Sequence, residues 1–282
     1  MFIIKSALAE AVGLLQAVTE SPLLDAEVLL CKVLGKERSY LRAWPNAELS
    51  SEHINAYLAL VNDRQQGKPI AYIIGTREFW SRDFHVTPDV LIPRPDTELL
   101  IELSLALIPT NQTSRIIDLG TGSGIIAITL AAERPASHVS ATDISAAALQ
   151  VAKANAVRHQ AERIQFYQSN WFDDAPTGKF DLIVSNPPYL VVDDEHLQQG
   201  DLRFEPLNAL VSAQQGLNDI QTIAETARDR LENGGFLLVE HGYNQKEATQ
   251  KLFRNLGYHK VQTHNDLSGQ PRVTFGQYLP PT

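Results

Sequence analysis

The sequence predicts an α/β protein: a mostly parallel sheet covered by helices on both faces, preceded by a small N-terminal helical bundle and a hairpin linker. Two observations carry this. From Asp96 onward, short apolar runs of strand character alternate with longer runs of helical period, the pattern of repeated β-α units. Before about Thr76 only helical signals occur. The chain has 282 residues, 44% hydrophobic and 20% charged, enough for two unequal packed domains rather than disorder.

The bundle is expected over residues 1–75. Ser21 and Pro22 supply an N-cap and a first-turn proline for LLDAEVLLCKVL, which stops at Gly35. Ser50 or Ser51 can cap the helix through Gln66, and Pro69 opens a short helix ending at Gly75. Residues 76–95 form the linker. EFWSRDFHV suggests a hairpin, and Pro88, Pro93 and Pro95 stiffen the backbone after it and disfavour helix. The sheet domain takes residues 96–282. Its strands are RIIDLG, HVSATDI, IQFYQSN, FDLIVSN, GFLLVEHG, HKVQTH and RVTFGQY, with a helix expected over residues 218–235 before the fifth. No helix separates the last two strands, so they should form an antiparallel pair at the edge.

Net charge is −9, divided as −1 up to Arg94 and −8 beyond it. An acidic body repels phosphate, which disfavours tight binding to bare DNA or RNA. The single cysteine, Cys31, excludes an internal disulfide and reads as a small core residue. No apolar run approaches the ~20 residues that span a bilayer. The N-terminal stretch lacks a basic start and a cleavage site, and Glu10 interrupts it, so it reads as a mature helix. A monomer in the cytoplasm is expected. The eight histidines are scattered, with no H-E-x-x-H and no Cys/His cluster, so no metal is expected. His241, after the fifth strand, reads as structural rather than as a general base.

The cofactor signal is Gly120, Thr121, Gly122, Ser123 and Gly124, between the strand RII and the helix GIIAITL. Glycines let the backbone turn sharply and approach a ligand closely. The spacing is G-x-G-x-G rather than the G-x-G-x-x-G of dinucleotide sites. Asp118, two residues before the first glycine, would repel a diphosphate but could pair with an ammonium group. That favours S-adenosyl-L-methionine over NAD. Asp143, at the tip of the second strand, can accept from both ribose hydroxyls, and Ile144 could pack on adenine. Ser145 is available to cap the helix after it.

The reacting motif is Asn186, Pro187, Pro188 and Tyr189, directly after the strand FDLIVS. Paired prolines make a rigid turn that presents oxygens outward. An amide nitrogen is a poor nucleophile, because its lone pair is delocalised into the carbonyl. The Asn186 side-chain oxygen and the Pro187 carbonyl could grip both its N–H groups, align it and favour the charge that develops on it. Tyr189 could pack on its flat face.

With these residues in place the chain resembles the protein-(glutamine-N5) methyltransferase family that modifies class 1 peptide chain release factors. The resemblance rests on LIPRPDTELL, IIDLGTGSGIIAI, ATDIS, SNWFD and DLIVSNPPYL, extended by DLRFEPLNALVSAQQGL and LLVEHG. It implies a Rossmann-like, seven-stranded methyltransferase domain. It also implies methylation of the glutamine of a Gly-Gly-Gln motif, with S-adenosyl-L-homocysteine as product and a bundle that helps to hold the release factor. By the same resemblance, Gly120 to Gly124, Asp143, Trp171 and Asn186 line the cofactor site, and Asn186 to Tyr189 contact the substrate. Trp44, Trp80, Arg94 and Glu205 are left between structural and substrate-facing roles.

Three rivals remain open. An adenine N6-methyltransferase could use the same grip on a flipped base, but should carry a basic groove and a target-recognition region. A dehydrogenase conflicts with the glycine spacing and has no use for the diproline turn. A non-catalytic nucleoside-binding module has no use for it either.

Overall fold

In the computed structural model, which describes residues 2–280, apolar spacing folds the chain into two units. The first takes the residues up to Thr76 together with Gln198–Phe204; the second takes Arg77–Leu197 and Glu205 onward.

The first unit holds helices α1 (Ile4–Leu15), α2 (Pro22–Leu34), α3 (Arg38–Ala43), α4 (Ser51–Gln65) and α5 (Ile70–Ile74). Local chemistry sets their ends. Pro22 opens α2, and Gly35 closes it at φ +60°. The Ser50 hydroxyl accepts from the His53 backbone N–H at 3.1 Å and caps α4. Ala11, Leu15, Leu29, Leu30, Tyr57 and Val61 form the core. Cys31 packs against that core but is only partly buried. Arg64 crosses the unit, pairing with the buried Asp25 at 2.8 Å and with Asp201 of the inserted segment at 3.2 Å.

The second unit opens with a hairpin of β1 (Thr76–Phe79) and β2 (Arg82–His85). Trp80 and Ser81 at its tip have φ of +52° and +57°, the two positive values of a type I′ turn. Trp80 is structural: its backbone N–H donates to Glu98 and its indole N–H to Glu133. Helix α6 (Glu98–Leu107) then follows directly on the proline-rich stretch. Pro95 sits in the 3₁₀ turn that opens it, a position where the missing N–H has no partner to lose.

Next come β3 (Arg115–Leu119), α7 (Ile125–Glu133), β4 (His138–Asp143), α8 (Ala146–Arg158), β5 (Gln165–Gln168), β6 (Phe180–Ser185), the short turn α9 (Ala213–Gly216) and α10 (Asn218–Arg230). β7 (Leu231–Glu240), α11 (Lys246–Asn255), β8 (His259–Asn265) and β9 (Pro271–Gln277) complete the chain. The sheet has seven strands in the order β5-β4-β3-β6-β7-β9-β8. β5 through β7 pair in parallel, and β9 is antiparallel to both β7 and β8, the edge pair the sequence predicts.

Alternate residues of each strand face opposite layers. Leu182, Val184 and Leu238 join the core with α6 and α7, while Ile183, Leu237 and Val239 join the core with α10 and α11. One boundary differs from expectation. The chain is already extended at Leu231, with φ −91° and ψ 140°, so ENGG belongs to β7 and not to the preceding helix. Strand order reverses between β3 and β6. The carboxyl edge at such a switch is where open α/β sheets leave a ligand crevice.

Candidate active site

The loop after β3 is held from below and left open above. The backbone N–H groups of Gly120 and Thr121 both donate to the Thr142 carbonyl at 2.9 Å, tying the loop to β4. Gly120, Gly122 and Gly124 all have positive φ, a region that costs other residues free energy. A Cβ at Gly124 would lie 2.9 Å from Ile128 Cδ1 and 3.3 Å from Ala152 Cα. Gly124 is thus what lets α7 and α8 pack at the end of the loop.

A cavity of about 300 Å³ opens along this edge, at the lower end of small-molecule sites. Gly120, Thr121, Gly122 and Ser123 line it, together with Asp143, Trp171, Asn186 and Pro188. Gly124, Pro187 and Tyr189 are not on its wall. Pro187 is buried and Tyr189 half-buried. The Tyr189 carbonyl accepts from Gln245 Nε2 at 3.0 Å, which anchors the far end of the diproline turn.

Asp143 faces the cavity from the tip of β4. One carboxylate oxygen accepts from the Gly122 N–H at 2.8 Å and the other from the Ser145 N–H at 2.9 Å. Each oxygen keeps a second lone pair for a ligand. Burial pushes its pKa up, and the two backbone N–H groups oppose the rise. Ser145 caps α8 by accepting from the Ala148 N–H at 3.1 Å. Ile144, 59% exposed, lines the cavity beside them. Trp171 adopts φ +50°, a conformation that tertiary contacts must impose. A Cβ at Gly120 would lie 3.2 Å from the indole, so glycine there lets the ring close on the loop.

Asp118 departs from the expected ammonium contact. It is fully buried and does not line the cavity. Its Oδ2 accepts from the Thr121 hydroxyl at 2.6 Å and the Ala127 N–H at 3.2 Å, bracing the loop from beneath. Burial raises its pKa to about 7, against the pull of those two hydrogen bonds.

Four further residues resolve into distinct roles. Glu205 is buried and accepts from the Ile92 N–H at 3.1 Å and from the Arg94 guanidinium. It fastens the segment carrying Val90, Leu91, Pro93 and Arg94, all of which line the cavity. His241 is buried away from the wall, its ring nitrogens engaged by the Gly242 carbonyl and the Thr274 hydroxyl. Sequence reasoning misses Thr97 and Glu240. Thr97 is fully buried yet on the cavity wall, and Asn186 Nδ2 donates to its Oγ1 at 3.2 Å. Both residues stand inside conspicuous stretches, LIPRPDTELL and LLVEHG, but only the fold brings them to the diproline turn. Among the described residues no group of three or more His, Cys, Asp or Glu is placed to hold a metal ion. No helix among them is long and apolar enough to cross a membrane.

Known proteins resemble the chain in both sequence and fold. Residues 96–200 match the model of the methyltransferase small domain, and residues 6–75 match the PrmC N-terminal domain. The release factor glutamine methyltransferase of Escherichia coli is 48% identical over 271 residues, which is 96% of this chain and 97% of that protein. The proteins of the same description from Vibrio cholerae and Coxiella burnetii are 48% identical over 93% of this chain and 44% identical over 97% of it; the matches span 92% and 98% of those proteins. A methyltransferase structure from Pyrococcus furiosus aligns with a TM-score of 0.55 at 16% identity, covering 79% of this chain and 98% of that one. The 16S rRNA N2 G1207 methyltransferase of T. thermophilus, solved with AdoMet and guanosine, aligns at 0.53 and 20% identity, covering 72% of this chain and 49% of that one. These two structures speak to the fold alone. Near full-length identity of this degree, over a methyltransferase sheet with a diproline turn on its cavity edge, means that the chain belongs to the release factor glutamine methyltransferase family.

Proposed function

We propose that the protein transfers the methyl group of S-adenosyl-L-methionine to the side-chain amide nitrogen of the glutamine in the Gly-Gly-Gln motif of class 1 peptide chain release factors, as a cytoplasmic monomer. One observation carries the reading: Asn186 and the glycine loop with Asp143 stand on the walls of a single cavity.

The cavity residues suit this cofactor. Asp143 has spare acceptor capacity for a ribose diol, and Ile144 and Trp171 offer apolar area to a flat base. The loop from Gly120 to Gly124 lets the backbone approach the rest of the molecule. When bound, S-adenosyl-L-methionine supplies an electrophilic methyl on a sulfonium, a good leaving group. The Asn186 oxygen accepts an amide N–H group at the cavity wall beside Pro188, and a second contact, to the Pro187 carbonyl, together with packing on Tyr189, requires those residues to meet the amide as it binds. This grip aims the nitrogen at the methyl carbon and favours its growing positive charge. The N–C bond forms as the C–S bond breaks, its electron pair stays on sulfur as S-adenosyl-L-homocysteine, and one N–H proton leaves to water. The bundle, residues 1–75, holds the release factor.

Methylation of adenine N6 would use the same grip. The −8 charge beyond Arg94 and the family of the chain both speak against a nucleic acid substrate. A methyl-transfer assay with intact release factor, with its motif glutamine changed to alanine, and with duplex DNA tests the reading. Label on the intact factor alone, mapped by mass to that glutamine, is expected. Label on DNA, or retained after the alanine change, refutes it.

A further inference from the structure

Asn186 works as an acceptor only if its amide is turned the right way, and the two ends of an asparagine amide are almost the same shape. Its Nδ2 donates to Thr97 Oγ1 at 3.2 Å. The Thr97 hydroxyl has a single hydrogen, and the Glu240 carboxyl lies near enough for that hydroxyl to favour its ionised form. Glu240 is 1% exposed at the end of β7, and its Oε2 has no partner among the described residues. A Thr97 hydrogen directed at Glu240 leaves only a lone pair to meet Asn186. A flipped Asn186 would set its oxygen against that lone pair, two acceptors face to face, at the cost of a buried hydrogen bond.

We propose that Thr97 and Glu240 are positioning residues: the buried chain Glu240–Thr97–Asn186 holds the Asn186 amide with its nitrogen inward and its oxygen toward the cavity, and so sets the polarity of the substrate grip. The inference rests on the function proposed above, because a turn that gripped no N–H group would need no orientation. Burial opposes ionisation of Glu240, while the Thr97 hydrogen bond, Arg272 and Arg94 favour it and Asp96 opposes it. Tyr189 also lies within electrostatic range. The carboxylate is the stronger acceptor and makes the chain directional.

The test uses the full-length enzyme and intact release factor at pH 8. Thr97→Val keeps the shape and loses the hydroxyl; Thr97→Ser keeps the hydroxyl. Glu240→Met removes the acceptor from the other end and carries the test if Thr97→Val does not fold. For Thr97→Val and Glu240→Met, kcat should fall about tenfold or more, with KM for the release factor and calorimetric cofactor affinity within about threefold of wild type. Thr97→Ser should keep kcat within about threefold. In an Asn186→Ala background, Thr97→Val should cost nothing further, because the amide it orients is gone. The inference is overturned if Thr97→Val turns over like wild type, if its loss multiplies that of Asn186→Ala, or if cofactor affinity falls in step with rate. Wild-type enzyme that leaves release factor unmethylated would sink the underlying function instead, so the two failures are separable.

Discussion

Asn186 and Asp143 stand on one cavity wall but serve different quantities. In the proposed function Asn186 meets the reacting nitrogen, so its contribution grows in the transition state. Asn186→Ala should cut kcat on the order of a hundredfold and leave cofactor affinity within about twofold by calorimetry. Equal losses would make Asn186 part of the cofactor pocket. In the same reading Asp143 holds the cofactor by charge-assisted hydrogen bonds, so Asp143→Ala should weaken its affinity roughly tenfold to a hundredfold; unchanged affinity would refute the ribose contact. The buried acids add a pH dependence. Asp118 has a pKa of about 7 in the fold against 3.8 ordinarily, and Glu240 about 7 against 4.5. The folded state therefore holds protons that the unfolded chain has released. Stability is fully present below the ordinary values and is lost as pH rises through about 7, with a slope of up to about 1.4 kcal/mol per unit for each group. Asp118→Asn should lower that slope in urea unfolding between pH 5 and pH 7.5. Parallel slopes would show that Asp118 does not titrate there. The glycine loop, Asp143 and the diproline turn are legible in sequence because each is a local pattern with a chemical meaning. The burial of Asp118 and the Thr97–Glu240 pair are not, because depth and long-range pairing leave no local trace.

Elements differ in legibility for a related reason. The β-α alternation is written in short windows, so strand identities and the antiparallel edge can be read directly. Helix α6 cannot, because Pro95 has opposite meanings inside a helix and in its first turn. The early start of β7 is hidden by the helical period that runs into ENGG. What holds the diproline turn is also non-local. α9 carries Gln214 and Gln215 at positive φ and ends at Gly216, φ +79°. A Cβ at Gly216 would collide with the Tyr189 carbonyl and come within 2.6 Å of Gln245 Nε2. Gly216→Ala should therefore push the turn at its Tyr189 end. Transfer is expected to fall on the order of tenfold or more, since small displacements of a positioning group are costly, while cofactor affinity stays near wild type. A rate like wild type would mean that this end of the turn is free to move without consequence.

At the scale of the whole molecule, the proposed function assigns methyl transfer and recognition of a large protein substrate to different units. The second unit carries every cavity residue named above. The first has its own core and a different electrostatic character: its own residues carry −1 of the total −9. It also exposes large apolar side chains, Trp44 at 61% and Leu23 at 53%. Trp44, at the end of α3, does not contribute to the bundle core. A solvent-facing tryptophan costs the free protein some hydrophobic free energy, and tryptophan is the residue most enriched where a partner later covers it. If the bundle holds the release factor, Trp44 belongs to the holding surface. Trp44→Ala should then raise KM for intact release factor about tenfold or more, corresponding to roughly 1.4 kcal/mol or more of docking energy. kcat at saturation should be unchanged, because no atom of the reaction is touched. A short peptide carrying Gly-Gly-Gln lacks the rest of the factor that a docking surface would hold, so its turnover should be the same in both enzymes. A peptide rate that falls with the variant would place Trp44 in the integrity of the fold. Intact-factor kinetics that do not move would place the docking surface elsewhere on the bundle.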